Sequence, residues 1–258
     1  MRVSEEYYIS SIQKWMYTDG KLESRGIYPP TDGLFFKGPI LNLCRIAFRD
    51  NSPLKQYNQP MAKRIIVAIT GASGAIYGIR TLEILRSLGA ETHLIISDAA
   101  RRTMEQETGR TPGEIATRAE YSYDPGEIGA PIASGSFPSD GMLVAPCSIK
   151  TLSAIANSYA ADLIVRAADV CLKEGRPLIL LVRESPLHIG HLRLMTQAAE
   201  AGAVICPPIP VFYGRPQTVA EIVDASVGRA LVRMGIDNDA YPRWTGIDDP
   251  GGEKSSKG

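Results

Sequence analysis

Net charge of either sign is missing from this chain, because 28 Lys and Arg residues balance 28 Asp and Glu. Nothing therefore pulls it in bulk toward nucleic acid or an anionic membrane surface. No apolar run reaches the length needed to span a bilayer. Histidine is scarce: His93, His188 and His191 are too few for an obvious metal site. His188 and His191 would share a metal only if helical, and no acidic third ligand lies close by in sequence. The four cysteines, Cys44, Cys147, Cys171 and Cys206, lack metal-like spacing. They read as reduced, mostly buried thiols of a cytoplasmic protein, with room for one reactive member. The N-terminus has no basic start followed by an apolar segment, as a secretory signal would. With Glu5, Glu6, Asp19 and Glu23 it is also too acidic for a transit peptide.

What is present centres on Arg64 to Gly78, RIIVAITGASGAIYG. Ile65 to Ile69 is a short β-branched run, which reads as a buried strand. Thr70-Gly71-Ala72-Ser73-Gly74 turns the chain, and Ile76, Ile79, Leu82 and Leu85 then recur at helical spacing. A strand that passes through small residues into a helix presents N–H groups and a hydroxyl to an anion. Gly71 and Gly74 allow close approach and Ser73 can donate. A tight βα turn with no ligand is the competing reading. The glycines fall at 71, 74 and 78, not in the dinucleotide spacing G-x-G-x-x-G. The next strand, Thr92 to Ser97, has no carboxylate at its tip for a ribose. Asp98 reads as the cap of the helix that follows.

Residues 1–60 differ in composition from the rest, mixing Tyr7, Tyr8, Trp15 and Tyr17 with prolines and glycines and no sustained period. Ser10 to Tyr17 reads as a short helix and Leu41 to Phe48 as a second apolar piece. This segment is expected to be a poorly structured extension, or the product of an upstream start, since Met61-Ala62-Lys63-Arg64 resembles a natural beginning. From Lys63 to residue 236, strands and helices alternate as in a parallel sheet covered on both faces. Further strands are expected at Gly141–Ala145, Pro177–Val182 and Ala203–Cys206. Helices are expected at Ala99–Gln106, around Pro112–Ala119, and at Ser148–Ala156, Ala161–Lys173, Leu187–Ala201 and Pro216–Met234. Tyr121 to Asp140 reads as a long loop of the kind that carries function. Residues 237–258 read as a polar tail, flexible beyond Trp244.

Ligands of an open parallel sheet bind outside the carboxyl ends of its strands. Four such ends carry chemistry here: Gly71-Ala72-Ser73, Ser97, Cys147-Ser148-Ile149-Lys150-Thr151, and Arg183-Glu184. Together they offer hydroxyls, N–H groups and a guanidinium to a phosphorylated cofactor without a metal. Each serine taken singly reads first as a helix N-cap, and Arg183-Glu184 as a solvated ion pair. Lys173, Glu174, Tyr213 and Arg229 form a second group, in which two cations and a phenol suit another phosphate.

From Lys63 to Trp244 the chain resembles the UbiX-type flavin prenyltransferases. The matching motifs are TGASGAIYG (70–78), Ser97 with Glu107 ten residues on, SGS (134–136), APCSIKTLSAIA (145–156), RAADVCLKE (166–174), LVRESPL (181–187), PPIPVFYGRPQTV (207–219) and YPRW (241–244). The resemblance implies an α/β, Rossmann-like or flavodoxin-like three-layer fold over residues 61–236. It implies a homododecamer with sites at subunit contacts. It also implies transfer of a dimethylallyl group from dimethylallyl monophosphate to N5 and C6 of reduced FMN, and the product, prenylated FMN, serves UbiD-type decarboxylases.

Carried over by position, Gly71, Ala72, Ser73, Ser97, Ser148, Ile149, Lys150, Thr151 and Arg183 would hold FMN. Lys173, Tyr213 and Arg229 would hold the prenyl phosphate, with Ser134, Gly135 and Arg166 supplied across a subunit contact. Glu107 and Glu184 would manage protons, and Ser73 and Lys173 would join them in catalysis. No Mg²⁺-binding aspartate cluster is visible. His188 and Arg193, in HIGHLRLM, depart from the family's usual residues and add positive character near the expected site. Two alternatives share the fold and FMN site. One is a decarboxylase of the cysteine-decarboxylase type, whose catalytic histidine and PxMNxxMW motif are not found here. The other is a non-catalytic FMN-binding decarboxylase subunit.

Overall fold

The computed structural model describes residues 62–246, together with the backbone of 15–18 and 21–24. The chain divides into two units, 1–60 and 61–258. In the first, Trp15–Thr18 and Lys21–Ser24 pair as an antiparallel hairpin. The expected helix over Ser10 to Tyr17 is therefore wrong at Trp15–Tyr17, where aromatic residues favour extended backbone. The rest of that helix, Leu41–Phe48 and the tail beyond residue 246 lie outside the described residues.

The second unit is built on six parallel strands: β1 (Arg64–Ile69), β2 (Glu91–Ile96), β3 (Tyr121–Tyr123), β4 (Gly141–Cys147), β5 (Leu178–Val182) and β6 (Val204–Ile205). Their order is β3-β2-β1-β4-β5-β6, so the sheet grows outward in both directions from β1 and β4. Helices α1 (Ala75–Ser87), α2 (Asp98–Thr108), α3 (Pro112–Ala116), α4 (Ile149–Ala156), α5 (Leu163–Lys173), α6 (Ile189–Glu200) and α7 (Val219–Arg233) make the connections. The four inner strands β1, β2, β4 and β5 are buried on both faces. Along β1, Ile65, Val67 and Ile69 join the core under α1, α2 and α7. The alternate residues Ile66 and Ala68 join the core under α4, α5 and α6. This period of two, with apolar residues on both sides, produces the three layers.

Most element boundaries fall within a residue or two of the expected ones. Tyr121–Tyr123 is an exception, being an edge strand paired with β2 where a loop is expected. The cap of α2 is Ser97, whose hydroxyl accepts from the Ala100 N–H at 3.2 Å; Asp98 is the first helical residue. Residues 237–246, expected as tail, are partly tied down: Asn238 donates to the Gly228 carbonyl at 3.1 Å.

His93, on β2, packs within the domain rather than lining a site. It is 2% exposed, its ring stacks on Tyr121, and its nitrogens lie 2.9 Å from Glu91 and from the Tyr123 hydroxyl. Burial lowers its pKa and outweighs the opposing pull of Glu91. The unfolded chain, with a histidine pKa of about 6.5, then binds the proton more readily than the fold does. This contribution to stability is complete above that value and shrinks as pH falls toward the folded pKa. Glu91, held below its ordinary value first by the Arg64 hydrogen bond, adds a loss at lower pH in the same direction. Between about pH 7.5 and about pH 5.5 the wild-type melting temperature should fall by a few degrees more than that of His93→Gln. Equal slopes would refute the assignment.

Candidate active site

Thr70 ties the two central strands together where they diverge. It is fully buried; its hydroxyl donates to the Pro146 carbonyl at 2.7 Å and accepts from the Ser148 N–H at 2.8 Å. That cross-tie fixes the β1–α1 loop beside the start of α4, at the crevice where a sheet of this order binds its ligand. Gly71, Ala72 and the exposed Ser73 line one side. Ser148 and Thr151 line the other; Ser148 caps α4 by accepting from the Thr151 N–H, and their hydroxyls lie 3.1 Å apart. Ile149 and the exposed Lys150 occupy the first turn of α4. Arg183, just beyond β5, donates its backbone N–H to the Cys147 carbonyl at 3.0 Å and leaves its side chain exposed. All four strand-end groups expected from the sequence therefore share one edge of the sheet.

Glu107 changes how that edge is read. Its carboxylate accepts from the N–H groups of Gly74 and Ala75, at 2.8 and 3.1 Å, and so closes the N-terminus of α1. Gly74 reaches this position with φ 104°, a left-handed conformation suited to glycine. Two of the donors expected to meet a phosphate are thus engaged by a side chain of the same chain. Burial alone would raise the Glu107 pKa, but hydrogen bonds from Ser73, Gly74 and Ala75 and the nearby Arg183 charge bring it below the ordinary carboxylate value. Glu107 is therefore an anion set between Ser73 and Arg183. Glu184 points elsewhere, accepting the Ser185 N–H at 3.0 Å.

The second anion group does not assemble within one chain. Lys173 ends α5 and pairs with Glu174, and both lie against Gly135, where an added Cβ would come within 2.6 Å of the lysine nitrogen. Ser134 shares this loop; Arg176 donates to the Gly135 carbonyl at 2.8 Å, and Arg166 to the Ala133 carbonyl at 3.1 Å. Because α5 leads into β5, and the loop leads into β4, the Lys173 end lies at the amino edge of the sheet. The strand-end hydroxyls lie at the carboxyl edge. Tyr213 and Arg229 form a third cluster with Tyr241, on the flank of α7: the two hydroxyls are 2.8 Å apart, and Arg229 stacks over the Tyr241 ring at 5.2 Å. Among the described residues no hydrogen bond or ion pair joins Lys173 to Tyr213 or Arg229. Within one chain these three residues therefore fall into two separate clusters. Likewise Ser134 and Gly135, expected from across a contact, adjoin Lys173 of the same chain. Thr70, Arg176 and Tyr241 are not among the site residues expected from the sequence, although Thr70 lies in TGASGAIYG and Tyr241 in YPRW.

Among the described residues, the buried thiols Cys147 and Cys171 are poor nucleophiles. Burial pushes Cys147 up to about 12 and Cys171 to about 11. His188 caps α6 by accepting the Gly190 N–H, with its ring against His191 at 3.6 Å. Among the described residues no cluster of three His, Cys, Asp or Glu suits a metal ion.

Comparison with known proteins matches this geometry to a family. The Flavoprotein family model matches residues 54–231. The flavin prenyltransferase UbiX of Thauera aromatica is 55% identical over 183 residues, which cover 71% of this chain and 94% of the relative. That of Escherichia coli K12 is 54% identical over 187 residues, 71% of this chain and 99% of the relative. A crystal structure of AnUbiX in complex with FMN and dimethylallyl pyrophosphate aligns at TM-score 0.71 and 46% identity, over 72% of this chain and 100% of the other. A dodecameric FMN-dependent UbiX-like decarboxylase from Escherichia coli O157:H7 aligns at TM-score 0.69 and 44% identity, over 71% and 100%. The chain therefore belongs to the UbiX-type flavin prenyltransferase family.

Proposed function

We propose that this protein joins a dimethylallyl group from dimethylallyl monophosphate to N5 and C6 of reduced FMN, releasing phosphate and prenylated FMN. The observation that carries this reading is identity of 54–55% across nearly the whole length of relatives named flavin prenyltransferases. The carboxyl-edge groups fit a flavin phosphate and ribityl chain: Ser73, Ser97, Ser148 and Thr151 bring hydroxyls and Arg183 a charge, around the small residues Gly71 and Ala72. Bound reduced flavin supplies the electron-rich ring that accepts the allyl group.

The chain's own residues have three tasks in this reading. Departure of phosphate from an allylic carbon leaves positive charge behind, so cations and donors fixed on the leaving group lower the barrier. Lys173, Tyr213 and Arg229, with Ser134, Gly135 and Arg166, supply them. Glu107, already an anion, orients Ser73 toward the same region and can take up a proton near the phosphate. Glu184 accepts a proton as the ring closes. Since the phosphate-binding groups are divided between clusters in one chain, copies of the chain must combine to complete a site. The named dodecameric relative supports such an assembly. Tyr159, Ile189, Ile209, Phe212 and Val219 are exposed apolar side chains that neighbouring copies would cover.

The product's recipient is taken to be a UbiD-type decarboxylase, and the working compartment the cytoplasm. No helix among the described residues is long and apolar enough to cross a membrane. Anaerobic incubation with reduced FMN and dimethylallyl monophosphate should raise the flavin mass by one C5 unit. An unchanged mass at saturating substrate would leave only a flavin-binding role. A parallel reaction with the pyrophosphate defines the donor.

A further inference from the structure

We propose that Tyr241 is a positioning residue for the prenyl-phosphate site: one side chain holds both Tyr213 and Arg229 in place. This rests on the transferase reading and adds to it a residue with no assigned part in the reaction. The contacts converge on a single ring. The Tyr241 hydroxyl lies 2.8 Å from that of Tyr213, and its ring face lies 5.2 Å from the Arg229 guanidinium. Tyr213 also donates to the Pro242 carbonyl at 2.9 Å, and its own ring meets Trp244 edge-on at 5.6 Å. Residues 241–244 thus form a strap along the groups expected to grip the leaving phosphate.

The seat of this strap is built into α7. Gly228 lies in the interior of that helix, where glycine is unfavourable. A Cβ there would come within 2.8 Å of the Tyr241 nitrogen, 2.9 Å of its Cβ and 2.7 Å of the Asn238 side chain. The glycine is needed because the strap lies directly on the helix. Asn238 locks the approach: it donates to the carbonyls of Gly228 and Ile236 and accepts the Ala240 N–H at 3.1 Å.

The chemistry explains why one residue should serve both. Arg229 and Tyr213 leave different elements, α7 and the loop before it, and both side chains are exposed. Unsupported, each would sample many rotamers, and ordering them would weaken phosphate binding. The Tyr241 ring restrains the guanidinium through its face and the phenol through its edge oxygen. The hydrogen bond to Tyr241, with some burial, raises the Tyr213 pKa. Tyr213 is thereby held as the neutral phenol, its hydroxyl anchored on residues 241 and 242.

The test uses the full-length assembled protein loaded with FMN. Calorimetry measures the affinity for dimethylallyl monophosphate, and turnover with reduced FMN gives kcat and KM. Tyr241→Leu should weaken binding of dimethylallyl monophosphate and raise KM about tenfold, while FMN affinity changes less than about twofold. Tyr241→Phe keeps the ring over Arg229 and should lose only part of that, so the conservative change rescues. Gly228→Ala, whose added methyl would meet Asn238 and Tyr241, should reproduce the leucine phenotype by lifting the strap. Unchanged donor affinity in Tyr241→Leu overturns the proposal. So does an equal loss of FMN affinity, which would mark general loosening of the fold. Wild-type protein that binds the donor yet transfers nothing would defeat the transferase reading alone, since the affinities still judge Tyr241. Wild-type protein that fails to bind it defeats both.

Discussion

Gly78→Val is expected to leave little folded protein, and Gly78→Ala to cost roughly 1–3 kcal/mol. The direction matters more than the size. Gly78 is in the first half of α1, and alanine at an ordinary helical site is favoured over glycine by about 1 kcal/mol. Here a Cβ would land on the Ala145 carbonyl oxygen and within 2.5 and 2.7 Å of the Ile69 side chain. The oxygen belongs to the β4 backbone, in the strand held to β1 by the Thr70 cross-tie, so neither neighbour can yield without disturbing the carboxyl edge. Gly113 is the control: it is helical, in α3, and nothing lies within 4 Å of its would-be Cβ. Gly113→Ala should be neutral or slightly stabilising. Urea unfolding of the three variants decides the matter, provided the denaturant slope is unchanged. A stabilised Gly78→Ala would mean that α1 does not lie this close to the sheet.

That glycine shows how far the sequence could be read. In the chain it is the last of Gly71, Gly74 and Gly78, a spacing that fails the dinucleotide pattern and so argues neither for nor against a ligand. In the fold its task is close packing of helix on strand. The parallel sheet itself was legible, because Ile65–Ile69, Gly141–Ala145 and Pro177–Val182 are short apolar runs separated by helical periods. Tyr121–Tyr123 was not: it has three residues, two of them exposed, on the sheet's edge, and pairing with β2 rather than local pattern makes it a strand. Serines at strand ends carried both of their readings into the structure. Ser97 and Ser148 are N-caps, as serines there usually are, and they also line the crevice. Local spacing could not separate Lys173 from Tyr213 and Arg229, because that separation depends on which edge of the sheet each helix end reaches. Glu107 was placed by motif, whereas its hold on the start of α1 is a contact across 33 residues.

Mixed assemblies of two inactive chains are expected to recover activity. Ser73→Ala damages the carboxyl-edge cluster and should weaken FMN use; Lys173→Ala removes a cation from the amino-edge cluster and should spare FMN binding. Each pure variant should lose about a hundredfold or more in turnover, the scale on which fixed donors to a developing charge act. The two residues lie at opposite edges of the same sheet, so a site that uses both must draw them from different copies. In an equal mixture, half the copies supply an intact Ser73 and half an intact Lys173. Roughly a quarter of the shared sites then hold both, and activity should rise to about that fraction of wild type. If each site were confined to one chain, no mixed assembly could contain an intact one, and the mixture would show only the average of its parents. Co-expression with two distinguishable tags, isolation of the doubly tagged assembly and measurement of flavin mass gain distinguish these outcomes.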